Sequence, residues 1–591
     1  MDMRSFIRAL TCITVFVSLL AFSSCSEEFL KKEPIGVGAG SVMTTPDGIE
    51  SILTGAYAGL KGRYMFGGAL GTDWVYGSVT SDDCYKGTVA GDSSPMSPLE
   101  TYRCIAICSY FVQRWTDCYE GVARANSVIE FLDMAQEGKT PLPAKRALQV
   151  EAEAKFLRAW FHFQANKVFE HIPYIKTLKE LAPVLPEEVP NPDPAWDKIE
   201  EDLQFAIENL PANFSGEPGR ADKYAAMAVK AHAHMYQKEF DQAKVLLDDI
   251  INNGGFLLAG HFYDNYDMTH ENNSESIFEL QASTTPTAHT SMMISGAVFH
   301  QKGPVGSACG GWGFFQPSQC LFEAFQVTPD GLPVLEIDER EPLANDMGIS
   351  SKTTFIPTDH LLDTRVDWTI ARRGVDFLGW GIHPGYDWIR EQSNGGPYMT
   401  KKYMHFKSEQ SLNLYSRGFY NGKNYRMYRL ANILLWRAEV AVEDGDLDLA
   451  RNIVNQIRDR AKNSTPVMGL CLSYSDLGSD PVVDWTRTAA NYKIEPYPPG
   501  HAAFTSQTEA RKAVRMEIRL EFATEGHRFF DLRRWDIDSE VLNDFIARDL
   551  TFRQTMRGAI YDPVKSDYWP IPQSQIELQK GVLQQDPSFV K

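Results

Sequence analysis

The feature that most narrows the fold is a pattern that occurs twice. Phe240-Asp241-Gln242-Ala243 opens a run that continues with Leu246, Leu247 and Ile250 at helical spacing. Its counterpart, Leu447-Asp448-Leu449-Ala450 followed by Ile453, Val454 and Ile457, begins 207 positions later, at 447 against 240. In both places an earlier helical run stops a few residues before, at Gln237-Lys238 and at Glu443-Asp444-Gly445. Two helices joined by so short a turn must fold back on each other, and an alanine early in the second lets their axes approach. Hairpins of this kind cannot bury their apolar stripes alone, so they stack. Trp196-Asp197 opens a looser third copy.

The hairpin length is that of tetratricopeptide units. The chain is therefore expected to be mainly α, a tetratricopeptide-type helix-hairpin frame over about 41–253 and 425–591. Other frame helices are expected from Thr45-Pro46-Asp47 onwards, over Tyr110 to Ala135, over Ala144 to Phe169 and over Trp196 to Asn209. Two stretches break the pattern. Gly62 to Pro98 is a glycine-, serine- and aromatic-rich excursion, and about 254–424 is a large irregular, loop-rich insertion with short strand-like runs such as Ser276 to Leu280. Loops this long inside a compact chain are usually functional.

The N-terminus supplies a location. Arg4 and Arg8 precede an apolar run from Ile13 to Phe22 that is too short to span a bilayer, so residues 1–24 read as a signal peptide. Small residues directly before Cys25 resemble a lipoprotein lipobox, which implies that Cys25 carries the lipid anchor and that 25–591 is the mature chain, a single domain. Ser26-Glu27-Glu28 is similar to the acidic tract that directs Bacteroidetes lipoproteins to the outer face of the outer membrane. The 591-residue chain carries a net charge of −19, a poor match to a nucleic-acid binder and a weak argument against polyanionic ligands. Apart from Cys12 and Cys25, seven cysteines remain, an odd number that does not suit a disulfide framework. Cys104 and Cys108 lack the spacing and second pair of a zinc site.

No motif points to catalysis. There is no G-x-S-x-G elbow. Gly138-Lys139-Thr140 imitates the end of a phosphate loop, but Asp133 stands where its first glycine belongs. Asp444-Gly445-Asp446-Leu447-Asp448 begins like a calcium loop, yet Leu449 replaces the turn glycine and Asn455 the closing glutamate, so it reads as a hairpin turn. A structural calcium ion has no motif behind it, and no metal or other cofactor is expected. What remains is aromatic loop surface, suited to stacking on the C–H faces of sugars. One cluster is Arg63, Tyr64, Trp74, Tyr76, Asp82, Asp83 and Tyr85. A second is Trp312, Phe314 and Phe315 among glycines, and a weaker third is Trp380, Tyr386 and Trp388. The candidate ligand-binding residues are Arg63, Trp74, Tyr76, Tyr85, Trp312, Phe314 and Phe315.

The C-terminal third carries a family likeness. Arg515, Glu517, Leu520, Glu521, Phe522 and the run Glu525-Gly526-His527-Arg528-Phe529-Phe530-Asp531-Leu532-Arg533-Arg534-Trp535 resemble the signature of the SusD/RagB family of Bacteroidetes outer-membrane lipoproteins. Met427 to Leu435, Trp569-Pro570-Ile571-Pro572-Gln573, Leu583 to Pro587 and Gln316-Pro317-Ser318-Gln319 match as well, with Cys320 and Asp586-Pro587-Ser588 departing from the pattern. By itself the signature reads as structural: Arg515, Glu517, Arg519 and Glu521 stand at i,i+4 spacing on one helix, Gly526 ends it, and Phe529, Phe530, Leu532 and Trp535 supply core. The resemblance implies a non-enzymatic, lipid-anchored protein on the extracellular face of the outer membrane. It would bind oligosaccharide or polysaccharide and deliver it to a SusC-like TonB-dependent outer-membrane barrel over which it sits as a lid. In the family, glycan contacts come largely from the excursion and the insertion. The competing expectations are peptide capture by the same architecture and, in a different class, a surface glycoside hydrolase.

Overall fold

The computed structural model describes residues 40–62, 70–138, 140–282, 313–402, 404–412, 422–477 and 481–590. The leader, Cys25, Arg63, Tyr64 and Trp312 lie outside the described residues.

The frame is a stack of helices in which each packs on its chain neighbour. Helix α1 (Pro46–Tyr57), capped by Thr45 whose hydroxyl accepts from Gly48 N at 3.1 Å, lies on α2 (Ser109–Gln136) and α3 (Ala144–Phe169). Gly121 sets the α2–α3 spacing: a Cβ there would stand 2.4 Å from the Phe161 ring. Helix α3 is enclosed, with Phe156, Leu157, Trp160, Phe161 and Phe163 fully buried, because α4 (Trp196–Asn209) covers its other side. The stack continues through α5 (Lys223–Gln237) and α6 (Phe240–Asn253) to α7 (Leu430–Glu443), α8 (Leu447–Asn463) and α9 (Gln507–Phe522). Both repeated patterns are hairpins, α5–α6 and α7–α8. Although the insertion separates them in sequence, α6 packs directly on α7. In each copy the alanine is fully buried, Ala243 in one and Ala450 in the other. The Asp444 to Asp448 segment is the second hairpin's turn: Gly445 has φ +82°, and Asp446 caps α8 by accepting from Leu449 N at 3.0 Å. Two further helices, α10 (Arg528–Arg534) and α11 (Asp538–Asp549), close the C-terminal side.

The strands are short and pair two at a time. The insertion is clasped at its neck, where β2 (Ser276–Leu280) pairs antiparallel with β6 (Tyr425–Arg429), Leu280 opposite Tyr425. Strand β1 (Cys84–Gly87) of the early excursion pairs with β3 (Phe314–Pro317), while β4 (Ile370–Ala371) pairs with β5 (Met399–Thr400) and β7 (Met468–Cys471) with β8 (Val483–Thr488). Among the described residues no helix is long and apolar enough to cross a membrane.

Buried ions hold the insertion to the frame, and here the structure corrects the i,i+4 reading of α9: that spacing brings together only like charges, Arg515 with Arg519 and Glu517 with Glu521, and the partners of Glu517, Arg519 and Glu521 lie on other elements. Glu517 binds Arg365 of the insertion and Arg458 of α8 at 2.7 and 3.0 Å. Glu521 binds Arg365, Arg429 and Arg460, and Arg519 reaches Asp82 and Asp83 in the excursion. These charges face inward, because a helix enclosed by α7, α8 and the insertion has little solvent for intrahelical pairs to occupy. Gly526 is a second correction. Helix α9 ends earlier, at Phe522, and Gly526 is needed for close approach: a Cβ on it would stand 2.2 Å from Thr72 O, and one on Gly77 would stand 1.7 Å from Gly526 O.

Candidate functional site

The three aromatic-bearing segments converge. Pairing of β1 with β3 places Tyr85 opposite Gln316 and Gly87 opposite Phe314, joining the excursion to the insertion. The third segment closes on both: Asn394 Nδ2 donates to Gly87 O and Thr88 O at 2.8 and 3.1 Å, and Gln316 Nε2 donates to Tyr398 O at 2.8 Å. Arg390 Nη1 donates to Thr88 Oγ1 at 2.8 Å and pairs with Asp92.

Of the described residues expected to stack on a ligand, Trp74, Tyr76, Phe314 and Phe315 prove to be core, while Tyr85, also buried, lines the cleft described below. Trp74 and Phe315 are buried against each other, ring centroids 5.4 Å apart. Tyr76 is fully buried beneath the Arg114 guanidinium, 4.6 Å from its ring, and Phe314 is buried within β3. Tyr85 is held by Arg553 over its face at 3.4 Å, by Phe545 stacked alongside, and by donation from its hydroxyl to Asp549 Oδ1 at 2.7 Å. Asp82 and Asp83 do not read a ligand either. Burial raises both carboxyls, but Arg519 and Arg528 pull Asp82 well below the carboxylate range, while Asp83 stays raised beside that charge. The physical reason is shared: a glycine-rich excursion that pairs with a second loop turns its large side chains inward to form a core of its own.

Of the three aromatic clusters, the third is the one whose described rings reach solvent; elsewhere among the described residues Trp485 on β8 is 57% exposed. Tyr386 is 41% exposed, and Trp388 stands half-buried, its ring propped edge-on by His383 and Phe377 at 5.2 and 6.0 Å. Trp380, in contrast, is buried and donates from Nε1 to His405 O at 3.1 Å. Tyr386, Asp387, Trp388 and Arg390 thus form a ledge with apolar rings and polar neighbours. Segment 342–348 borders this ledge, since a Cβ on Gly385 would touch the Asp346 carboxylate at 2.0 Å. Burial pushes that carboxyl up to about 6 despite Arg373 nearby.

The same segment forms one wall of a cleft of about 320 Å³. Tyr85, Phe545, Phe552, Pro342 and Leu343 supply its apolar surface, and Gln319, Asn345, Arg548, Asp549 and Thr551 its polar groups. Gln319 is prearranged, accepting from Tyr398 OH at 2.8 Å and Asn345 Nδ2 at 3.1 Å. An apolar cavity with a few oriented polar groups is the form of a small-molecule subsite. Sequence reasoning missed Phe545, Arg548 and Phe552 because they sit on and after α11, where an aromatic at helical spacing reads as core.

Two groups among the described residues could hold a metal ion: Asp264, Asp267 and His270, and Glu200, His234 and Glu239. In each the histidine already hydrogen-bonds a carboxylate, His270 Nδ1 to Asp267 at 2.7 Å and His234 Nδ1 to Glu239 at 2.6 Å.

Residues 274–589 match the SusD family, and residues 49–235 match a family described as starch-binding associating with outer membrane. SusD-like protein P25 of Formosa agariphila is 23% identical over 97% of this chain and 98% of its own length. Among solved structures, surface glycan-binding protein A from Bacteroides thetaiotaomicron in complex with laminarihexaose superposes with a TM-score of 0.66 at 20% identity, covering 92% of this chain and 99% of that one. A SusD-like carbohydrate-binding protein from Bacteroides fragilis gives a TM-score of 0.66 at 21% identity, covering 93% and 100%.

Proposed function

This chain belongs to the SusD family, and from that premise we propose that it is a cell-surface protein that captures a neutral oligosaccharide and passes it to a TonB-dependent outer-membrane barrel. The observation that carries the reading is the ledge of Tyr386 and Trp388, with Asp387 and Arg390 beside the rings, and the 320 Å³ cleft on the other side of segment 342–348. Pyranose rings offer flat C–H faces that bury well on such aromatics, while hydroxyls need the polar neighbours. The net charge of −19 favours an uncharged glycan. Support for the class comes from the matched family described as starch-binding and from the neighbour solved with laminarihexaose. The outer-membrane location rests on the same family description, and the lipid anchor on Cys25 and the barrel partner on the resemblance. The role is capture without turnover.

Native affinity gels test this with the soluble chain starting at Ser26 and a panel that includes laminarin and starch. One polymer should retard the protein. Tyr386→Ala or Trp388→Ala should each weaken that retardation roughly tenfold, equivalent to about 1.4 kcal/mol, with no new reducing ends released from the polymer. Migration unchanged across the panel would sink the glycan reading, and release of reducing ends would make the protein a hydrolase.

A further inference from the structure

Trp485 on β8 keeps more than half of its surface in solvent, and the local backbone fixes it there. Strands β7 and β8 run out of step. Met468 faces Thr488 and Leu470 faces Asp484, so two steps along β7 are matched by four along β8. The extra length is a bulge, a device that re-aims a side chain out of the regular alternation. It is pinned at Asp484, whose Oδ1 accepts from Thr486 N at 3.0 Å and from Thr486 Oγ1 at 2.7 Å. The indole rests on Gly469, which has φ +102°. A Cβ there would stand 2.7 and 2.9 Å from Cζ3 and Cε3 of Trp485, so the ring can sit where it does only on a glycine. It is seated on backbone, with the remainder of its surface open.

Its surroundings are polar. Thr486 and Arg487 beside it are exposed, and among the described residues no hydrogen bond engages its indole N–H, which is left to donate. The hairpin's other exposed apolar side chains, Leu472 and Val482, lie on the opposite face. Cys471 and Val483 pair and pack inward with Ile382 and Leu477, and strand alternation turns the next pair outward. A protein-docking patch gathers apolar side chains, whereas one fixed ring bordered by hydroxyl and charged groups suits the C–H face of a single pyranose. The hairpin also adjoins the ledge. Arg373 Nη2 donates at 2.8 Å to Tyr474 O, in the loop that joins β7 to β8, and at 3.0 Å to Ser351 O, while Ser351 Oγ accepts from Asp387 N at 2.9 Å. We propose that Trp485 is a second sugar-stacking subsite, so that a neutral polysaccharide is held both on the ledge and on the β7–β8 hairpin. This rests on capture of a neutral glycan at the ledge. A chain bound at one point meets the other at high effective concentration, which favours polymers over short fragments.

The test uses the chain from Ser26 in native gels containing laminarin or starch. Trp485→Ala should unfold at the parent's urea midpoint, because the ring is mostly exposed, yet weaken retardation by the bound polymer roughly fivefold. Trp485→Phe, which keeps a ring, should retain most of it. The Tyr386→Ala, Trp388→Ala double variant should keep a residual retardation that adding Trp485→Ala removes. If Trp485→Ala migrates like the parent while the ledge variants lose retardation, the second subsite is overturned and the ledge stands. If only Trp485→Ala loses it, the ledge fails and the hairpin site stands. A parent chain that neither polymer retards sinks both. Unchanged retardation together with lost self-association in sedimentation velocity would make Trp485 a contact between copies of the chain and overturn the proposal.

Discussion

Arg429 is fully buried and touches three carboxylates, Glu275 and Glu521 at 2.7 and 2.6 Å and Glu525 at 3.2 Å, and donates to Tyr266 Oη at 3.1 Å. Removing one partner of a buried ion cluster leaves uncompensated charge, which costs far more than the cluster contributes over an apolar replacement. Arg429→Met should therefore destabilise by about 3–5 kcal/mol, read as a lowered urea midpoint. The same cluster sets an acid limit. Burial alone would raise Glu525, but Arg429 and Lys402 hold it down to about 2 from an ordinary 4.5. A depressed carboxyl contributes stability that is present above 4.5 and is lost as pH falls towards 2. Urea midpoints followed downward from pH 5 should fall through that window, and Glu525→Gln should be less stable at pH 5 with a flatter profile. A midpoint that did not move with pH would remove Glu525 from the account.

At the scale of elements, the hairpins depend on small residues where helix axes meet. Ala450 is fully buried in the α7–α8 hairpin, where α9 packs on both helices. Ala450→Leu should overpack this junction and cost about 1–3 kcal/mol, with helix content preserved by circular dichroism. The helices and their turns were legible because their information is local: Ala144 to Phe169 and Trp196 to Asn209 are helices with those bounds, and Asp446 caps the turn that a calcium motif only imitates. The partners of charged side chains were not legible. Glu517 and Glu521 each lie only two residues from an Arg on their own helix, yet they bind Arg365, Arg429, Arg458 and Arg460, because burial of α9 on several sides decides which cations can reach them.

For the whole molecule, the insertion and frame share one set of interior contacts. Strand β2 clasps β6 at the neck, Arg365 and Lys402 of the insertion bind Glu517, Glu521 and Glu525 of the frame, and α6 meets α7 across the gap in sequence. Unfolding followed by helix signal and by tryptophan fluorescence should therefore give coincident transitions. Separate midpoints would divide the chain into two units. The hairpin repeat, the position of the insertion and the family signature follow from the sequence alone, since periodicity and motif need only neighbouring residues. Which loop aromatics face solvent was decided by tertiary structure. Trp74, Tyr76, Tyr85, Phe314 and Phe315 share their composition and glycine-rich setting with Tyr386 and Trp388. They differ in what packs over them once β1 pairs with β3, and that pairing joins residues more than two hundred positions apart.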